Sequence, residues 1–285
     1  MVAQLVNVFK LRIGTLIALA ALGGLAIAPG PALPAWKIMV LAVAVLMASA
    51  AAGAFNQYLE TDIDARMART RKRPFVTGAF AHNRYWLLGI GVLLLAAVLL
   101  AALVLNAASA LYVFLGAFTY AVVYTVWLKR RTWINIIVGG LAGSFAVLAG
   151  AAAVDPALGP LPVILALVLF LWTPSHFWSL AIALRKDYAA AGVPMLPVVK
   201  GDHVAAWAIL VNTVLLVAVS LLPVFYGAGW IYFAGALAGG VYFLARNVQL
   251  VRHTTTQTAM TNFFASLVQL SLLLGAVLLE AGLAA

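Results

Sequence analysis

The sequence predicts an all-α fold, a polytopic membrane bundle of nine transmembrane helices in a single domain over 1–285. Three observations carry that prediction. Of the 285 residues 66% are apolar and only 8% are charged, against roughly 25% charged in ordinary soluble domains. Apolar runs of about 20 residues, the length a helix needs to cross hydrocarbon, recur along the chain. Basic residues gather in every second connection between those runs. A soluble globule is excluded, because so few charges could not cover its surface. The net charge of +10 does not indicate a nucleic-acid partner, which would demand a far denser basic face in water. The lipid bilayer is the expected partner. Cys is absent, which removes disulfides and thiolate metal sites.

The runs are separated by short polar or Gly/Pro segments, and those segments justify each element in turn. The first span, roughly 11–29, follows Lys10 and Arg12. It is as long as a crossing and shows no distinct small-residue cleavage site, so a span is expected and not a leader. The second, 36–58, leads into a loop with Arg66, Arg69, Arg71, Lys72, Arg73 and Arg84. The third, 85–105, and fourth, 108–128, are joined by the short uncharged turn Asn106 to Ser109, and the fourth ends at Lys129, Arg130 and Arg131. The fifth, 134–154, and sixth, 162–184, flank Asp155, and the sixth opens onto Arg185, Lys186 and Lys200. The seventh, 204–225, and eighth, 228–246, meet at Gly227 to Gly229, and the eighth is followed by Arg246 and Arg252. The ninth covers 262–282. With nine crossings, sixteen of the seventeen basic residues fall on one side and only Lys37 on the other. The positive-inside rule then places the N-terminus and the charged loops in the cytoplasm and the C-terminus outside. For a prokaryotic chain this implies the inner membrane.

Five of the seven acidic residues share that basic side: Glu60, Asp62, Asp64, Asp187 and Asp202. Topology gives no reason for them there. Asn56, Glu60 and Asp64 are spaced i, i+4, i+8, so a helix continuing from the second span sets three oxygen-bearing side chains on one stripe. Mg²⁺ is commonly held by one or two carboxylates plus substrate phosphate. Asp62 points elsewhere, as a second metal contact in a frayed turn or as a solvated residue. Arg69 and Arg73 are again i, i+4 and could grip phosphate through their forks. The plain alternative for Arg66 to Arg73 is topology and anionic lipid. Asp187 is a candidate second carboxylate arm, or else a solvated neighbour of Arg185 and Lys186. Gly192, Pro194 and Pro197 imply a shaped loop beyond it. His176 lies two turns inside the membrane from Arg185, either as hydrogen-bonded core or as a substrate contact. Tyr120 and Tyr124 share a helical face before Lys129, suited to a cation and a diphosphate or to an aromatic belt with a basic anchor.

Carboxylates, guanidinium groups and an ammonium above an apolar bundle suit a Mg²⁺-bound diphosphate with a hydrocarbon tail. Metal and basic residues stabilise a leaving diphosphate, and the bundle keeps water from a carbocation. Prenyl transfer is the reaction class this chemistry implies.

The stripe Asn56-Gln57-x-x-Glu60-x-x-x-Asp64 also resembles the first aspartate-rich motif of the UbiA-type intramembrane prenyltransferases. Asp64-x-x-Met67-x-Arg69-Thr70-x-x-Arg73-Pro74, His176-Phe177-Trp178 and Asp187-Tyr188-x-x-Ala191-Gly192-x-Pro194-Met195-Leu196-Pro197-Val198 are similar to the heme-farnesylating branch of that family. The resemblance implies nine transmembrane helices, Mg²⁺ dependence and transfer of farnesyl from farnesyl diphosphate to a vinyl group of heme B. Heme B is then a substrate rather than a cofactor, water completes the hydroxyethylfarnesyl substituent, and heme O and diphosphate are the products. It implies catalytic roles for Asn56, Glu60, Asp64, Asp187 and Lys129, with Asn56, Glu60, Asp64 and Asp187 as metal ligands. Arg69, Arg73, Tyr124, His176 and Tyr188 are implied to bind substrate. A heme A synthase or terminal oxidase assembly is the implied downstream partner. A quinone-precursor or other aromatic acceptor is the alternative within the class, and a non-catalytic transporter or heme-handling protein the alternative outside it. The segment Asp187 to Val198 argues against the former and the acid stripe against the latter.

Overall fold

The computed structural model describes residues 1–284, and all regular structure among them is helical. A short α1 (Val2–Val8) meets α2 (Leu11–Ile27) at a bend of 51°. Lys10 makes that bend with a left-handed φ of 48°. α3 (Ala35–Leu59) is followed, after the irregular Glu60, by α4 (Thr61–Arg66) and then by α5 (Pro74–Thr77). α6 (Arg84–Val104) and α7 (Ala107–Phe118) come next. α7 continues as a π-helix over Thr119–Leu128. α8 (Asn135–Gly139) and α9 (Leu141–Val154) run on through Gly140 as one apolar span. α10 (Pro160–Ala183) leads to the short α11 (Arg185–Ala190) and α12 (Leu196–Lys200). α13 (Asp202–Leu221) tightens into a 3₁₀ turn over Leu222–Tyr226, and α14 (Trp230–Arg252) and α15 (Thr256–Ala284) complete the chain.

Seven of these helices are long and apolar enough to cross a membrane, or eight if α1 and α2 form one bent span. α14 is not among them, although it is an unbroken helix of 23 residues. Its Trp, Tyr and Gly residues at one end and Arg246 and Asn247 at the other dilute the apolar stretch. The expected first span also stops at Ile27, because Pro29 and Gly30 follow.

Lipid provides no hydrophobic drive between helices, so close packing must hold them. α2 and α9 meet backbone to backbone: a Cβ on Gly24 would collide with the Val147 carbonyl, and one on Gly150 with that of Ala21. Alanines such as Ala44, Ala48, Ala97, Ala117 and Ala149 carry the same close fit into α3, α6 and α7.

The other half is tied by neutral polar side chains. Asn212 donates to Ser175 Oγ at 2.7 Å and to the Leu171 carbonyl at 2.5 Å. The Thr213 hydroxyl lies 2.9 Å from Ser175 Oγ and 3.2 Å from Asn247 Oδ1. Asn262 donates to Ser179 Oγ at 2.9 Å. These bonds link α10, α13, α14 and α15. At the opposite end from the charged loops, Glu280 accepts from the backbone N–H groups of Gly229 and Tyr232 at 2.7 and 2.9 Å. That acid therefore caps the start of α14, where the helix dipole favours negative charge.

Candidate functional site

The site is built where α3 runs out. Helical i→i−4 bonding persists across the irregular residue, from Glu60 N–H to the Asn56 carbonyl at 3.1 Å and from Asp64 N–H to the Glu60 carbonyl at 2.8 Å. Asn56, Glu60 and Asp64 therefore keep a common face despite the break. All three are almost fully buried, at 2%, 1% and 2% exposure. Burying carboxylates is costly unless they are paired, and each is. Lys129 Nζ stands 2.5 Å from Glu60 Oε2. One nitrogen of Arg73, Nη1, reaches both Asp64 oxygens at 2.7 and 2.6 Å. Glu60 Oε1 has no hydrogen-bond partner among the described residues.

The loop after α4 explains how Arg73 returns to Asp64. Met67 is extended, at φ −102° and ψ 129°, which ends the helix. The Thr70 hydroxyl then donates to the Asp64 carbonyl at 2.9 Å, and Pro74 starts α5 directly after Arg73. The spacing Asp64, Thr70, Arg73, Pro74 is thus a turn closed on its own acid. The expected i, i+4 pairing of Arg69 with Arg73 does not form, because 67–73 is turns and not helix. Arg69 instead lies beside the Tyr188 hydroxyl, and it belongs to no ion pair among the described residues. Burial pushes the Tyr188 hydroxyl above the ordinary tyrosine value, so it stays protonated and able to donate.

Lys129 comes from the end of the π-helix. Its N–H bonds to the Tyr124 carbonyl, five residues back, at 2.9 Å. Such widened turns are rare and cluster at functional sites. Tyr120 and Tyr124 stack at 5.5 Å, and Lys129 Nζ lies 5.6 Å from the centre of the Tyr124 ring. The π segment also turns the Thr125 hydroxyl onto the Tyr120 carbonyl at 2.8 Å, and Asn56 Nδ2 donates to that hydroxyl at 3.0 Å.

Lys10 is the residue sequence reasoning missed, since it reads there only as a topology signal. Its ammonium donates to Asn56 Oδ1 at 2.6 Å and to the Tyr120 hydroxyl at 2.9 Å. Its methylenes pack 3.3 Å from where a Cβ on Gly53 would sit. The separation of 46 and 110 residues from its partners leaves no local signal that could have found it.

Other expected members lie apart. Asp187 is half-buried in the first turn of α11 and has no ion-pair partner among the described residues. It does not gather with Glu60 and Asp64: among the described residues no three acidic or histidine side chains stand together as a metal cage. Asp62 is exposed and bound by both terminal nitrogens of Arg130 at 2.7 Å, which settles it as a surface residue. That guanidinium holds the Asp62 carboxyl below the usual carboxylate range. His176 sits between α10 and α15, its Nδ1 2.7 Å from Ser266 Oγ and its ring between Trp172 and Phe263 at 4.2 and 4.3 Å. Gly192 takes a left-handed φ of 69°, which gives the loop beyond α11 its shape. A groove of about 420 Å³ lined by Phe9, Trp86, Ile90 and Leu93 contains none of these residues.

The donor set suits Mg²⁺ even without a third acid. Two carboxylates and an amide oxygen on one stripe, one carboxylate oxygen unpartnered, leave the remaining positions for phosphate oxygens and water. Five basic groups from three segments converge on this short acidic stripe or its rim: Lys10 from the α1–α2 bend, Arg69 and Arg73 from the loop after α4, and Lys129 and Arg130 from the end of the π-helix.

A profile described as the UbiA prenyltransferase family matches residues 17–272. The chain is 59% identical over 276 residues to a protein named protoheme IX farnesyltransferase 2 from Paramagnetospirillum magneticum, covering 97% of this chain and 96% of the relative. Its fold is similar to a solved structure from work on digeranylgeranylglyceryl phosphate synthase, with TM-score 0.80, 18% identity and 98% of both chains covered. It is also similar to a UbiA homolog from Archaeoglobus fulgidus bound to DMAPP and Mg²⁺, with TM-score 0.72, 13% identity and 95% and 99% of the two chains covered.

Proposed function

From the premise that this chain belongs to the UbiA prenyltransferase family, we propose that it farnesylates heme B. Farnesyl diphosphate is the donor and a heme vinyl group the acceptor; one water adds to the resulting cation and loses a proton to leave the hydroxyl, and heme O and diphosphate are the products. The observation that carries the reading is the buried Asn56, Glu60 and Asp64 stripe, faced by cationic side chains at the end of an apolar bundle. The names of the relatives at 59% and 50% identity, both protoheme IX farnesyltransferases, support farnesyl and heme as the two substrates.

Each residue has a task in that reaction. Asn56, Glu60 and Asp64 would hold Mg²⁺, and Asp187, which stands apart from them in this structure, would add a further arm from α11. The bound metal supplies Lewis-acid stabilisation of the diphosphate as the allylic C–O bond breaks. Lys129, Arg73 and Arg69 bind the diphosphate oxygens, with Tyr188 donating beside Arg69. The stacked Tyr124 and Tyr120 rings face the developing allylic cation and stabilise it through their negative faces. The apolar helices accept the farnesyl tail and exclude bulk water. His176, with Nδ1 held by Ser266, presents its other edge to the tetrapyrrole. We place α14 as a crossing as well, which with the bent α1–α2 pair gives nine. The charged end then lies in the cytoplasm, the C-terminus outside, and a heme A synthase or terminal oxidase receives the product.

The test supplies purified protein in detergent with heme B, farnesyl diphosphate and Mg²⁺ and looks for heme O by mass. No heme O, together with prenylation of a quinone precursor under the same conditions, overturns the acceptor and leaves a prenyltransferase of other specificity.

A further inference from the structure

Asn56, Glu60 and Asp64 each already have at least one oxygen on a side-chain cation, while Glu60 Oε1 is left open among the described residues. Asn56 Oδ1 accepts from Lys10 at 2.6 Å, Glu60 Oε2 from Lys129 at 2.5 Å, and Asp64 from Arg73 at 2.7 and 2.6 Å. Two of those cations, Lys129 and Arg73, are the groups that would bind diphosphate, so the metal's oxygens and the diphosphate compete for the same charges. The third, Lys10, has no acidic partner among the described residues; its ammonium donates to two neutral oxygens, Asn56 Oδ1 and the Tyr120 hydroxyl. An ammonium held by neutral oxygens in a buried place is weakly compensated. Its backbone sits in the left-handed region, which a non-glycine side chain adopts only when its surroundings hold it. It stands at the 51° bend between α1 and α2, where a small rotation moves the side chain.

We propose that Lys10, Arg73 and Lys129 are exchangeable counter-ions, which makes binding of the divalent cation and of the diphosphate one coupled event. In the ligand-free chain the three cations occupy the metal's oxygens. When a divalent cation takes Asn56, Glu60 and Asp64, the displaced ammonium and guanidinium groups are left only partly exposed and without their partners, which is costly. A diphosphate arriving with the metal satisfies them. Either ligand alone therefore binds poorly, and each raises the affinity of the other by the same factor. Lys10 is the cleanest member, because releasing it from Asn56 leaves only a neutral amide behind. This inference rests on the diphosphate reading of the site given above.

The test is calorimetric titration of the full chain in detergent with Mg²⁺ alone, inorganic pyrophosphate alone, and each in the presence of the other. Coupling of at least about 10-fold is expected in the unaltered protein, within the usual range for linked sites. In Lys10→Met, Mg²⁺ alone should bind as tightly or more tightly, because its competitor for Asn56 is gone. Pyrophosphate should bind more weakly when Mg²⁺ is present, so the coupling factor shrinks. Pyrophosphate affinity that is indifferent to Mg²⁺ in the unaltered protein overturns the proposal, whatever the variant does. So does a Lys10→Met variant that loses pyrophosphate affinity equally with and without Mg²⁺, or that changes neither affinity. Where Lys10→Met does not fold, Lys10→Arg should keep the charge and retain the coupling, and loss of coupling there overturns the role of the ammonium. Folded protein that binds neither ligand under any condition removes the diphosphate reading itself, and this inference with it.

Discussion

Two regions of the bundle bury polar side chains, and they do so in opposite ways. At the charged end, Asn56, Glu60 and Asp64 meet cations delivered by the α1–α2 bend, the loop after α4 and the end of the π-helix. Between α10, α13, α14 and α15, Ser175, Ser179, Asn212, Thr213, Asn247 and Asn262 meet one another and backbone carbonyls. The first set is mostly charges joined across irregular or terminal segments, which on the proposed reading a ligand ion replaces. The second consists of neutral bonds between rigid helices, with nothing a small ion would displace. Burial alone does not distinguish a site from a strut; the charge and mobility of the partners do.

The difference is broken most severely at Asp64. Asp64→Ala should reduce heme O formation on the order of 10²–10³-fold or more, the scale for losing a principal electrostatic element. It should still insert and extract as a monodisperse protein, since Arg73 is partly exposed and can turn to water. Turnover within tenfold of the parent would make Asp64 a strut like the others.

Ser175→Ala should do the reverse. It removes the shared partner of Asn212 and Thr213 and leaves buried groups unsatisfied, at a cost of about 1–3 kcal/mol. Thermal unfolding in detergent should shift down while turnover per folded molecule holds. A large loss of turnover with unchanged unfolding would place catalysis in the neutral network.

Arg69 sharpens the comparison because it has a neutral neighbour, Tyr188, and no acid. If it binds diphosphate in the ground state, Arg69→Gln should raise KM for farnesyl diphosphate roughly 10-fold or somewhat more, the scale of one charge-assisted bond. Equal ground- and transition-state binding leaves kcat nearly unchanged. A fall in kcat with constant KM would assign it to the leaving group instead.

Much of this architecture was legible because lipid makes hydropathy a direct signal. The helical class, the approximate spans and the gathering of charge at one end all follow from it. The stripe of Asn56, Glu60 and Asp64 was legible because helical spacing of i, i+4, i+8 survives a single irregular residue. The fate of Arg69 and Arg73 was not, because Pro74 and the extended Met67 turn the loop out of the helix that the spacing presumes. The π-helix under Tyr120 and Tyr124 was hidden, since its backbone register leaves no mark in the pattern of apolar residues. α14 was read as a span from position and length, while its composition falls short of the other helices. Lys10 could not be found at all, because its role depends on contacts across the whole bundle rather than on neighbours in the chain.

The mildest break is at the rim, where Asp62 and Arg130 form the same kind of ion pair as Glu60 and Lys129 without the burial. Their side chains are 50% and 45% exposed, and exposed pairs contribute only about 0.2–1 kcal/mol. The Arg130 guanidinium depresses the Asp62 carboxyl, so the folded state holds that proton less tightly than the unfolded chain does. The pair's stabilisation is therefore complete above the unfolded carboxylate value near ~3.9. It is lost as pH falls through the lower folded value. Arg130→Ala should lower thermal stability slightly at pH 7 and converge with the parent in strong acid. Salt should also erase the small difference at neutral pH, as screening reaches exposed pairs first. A penalty as large as that of Ser175→Ala, and insensitive to salt, would mean that this rim pair is buried in the working protein. The line between an exchangeable site and its surface would then have to be drawn outside Asp62.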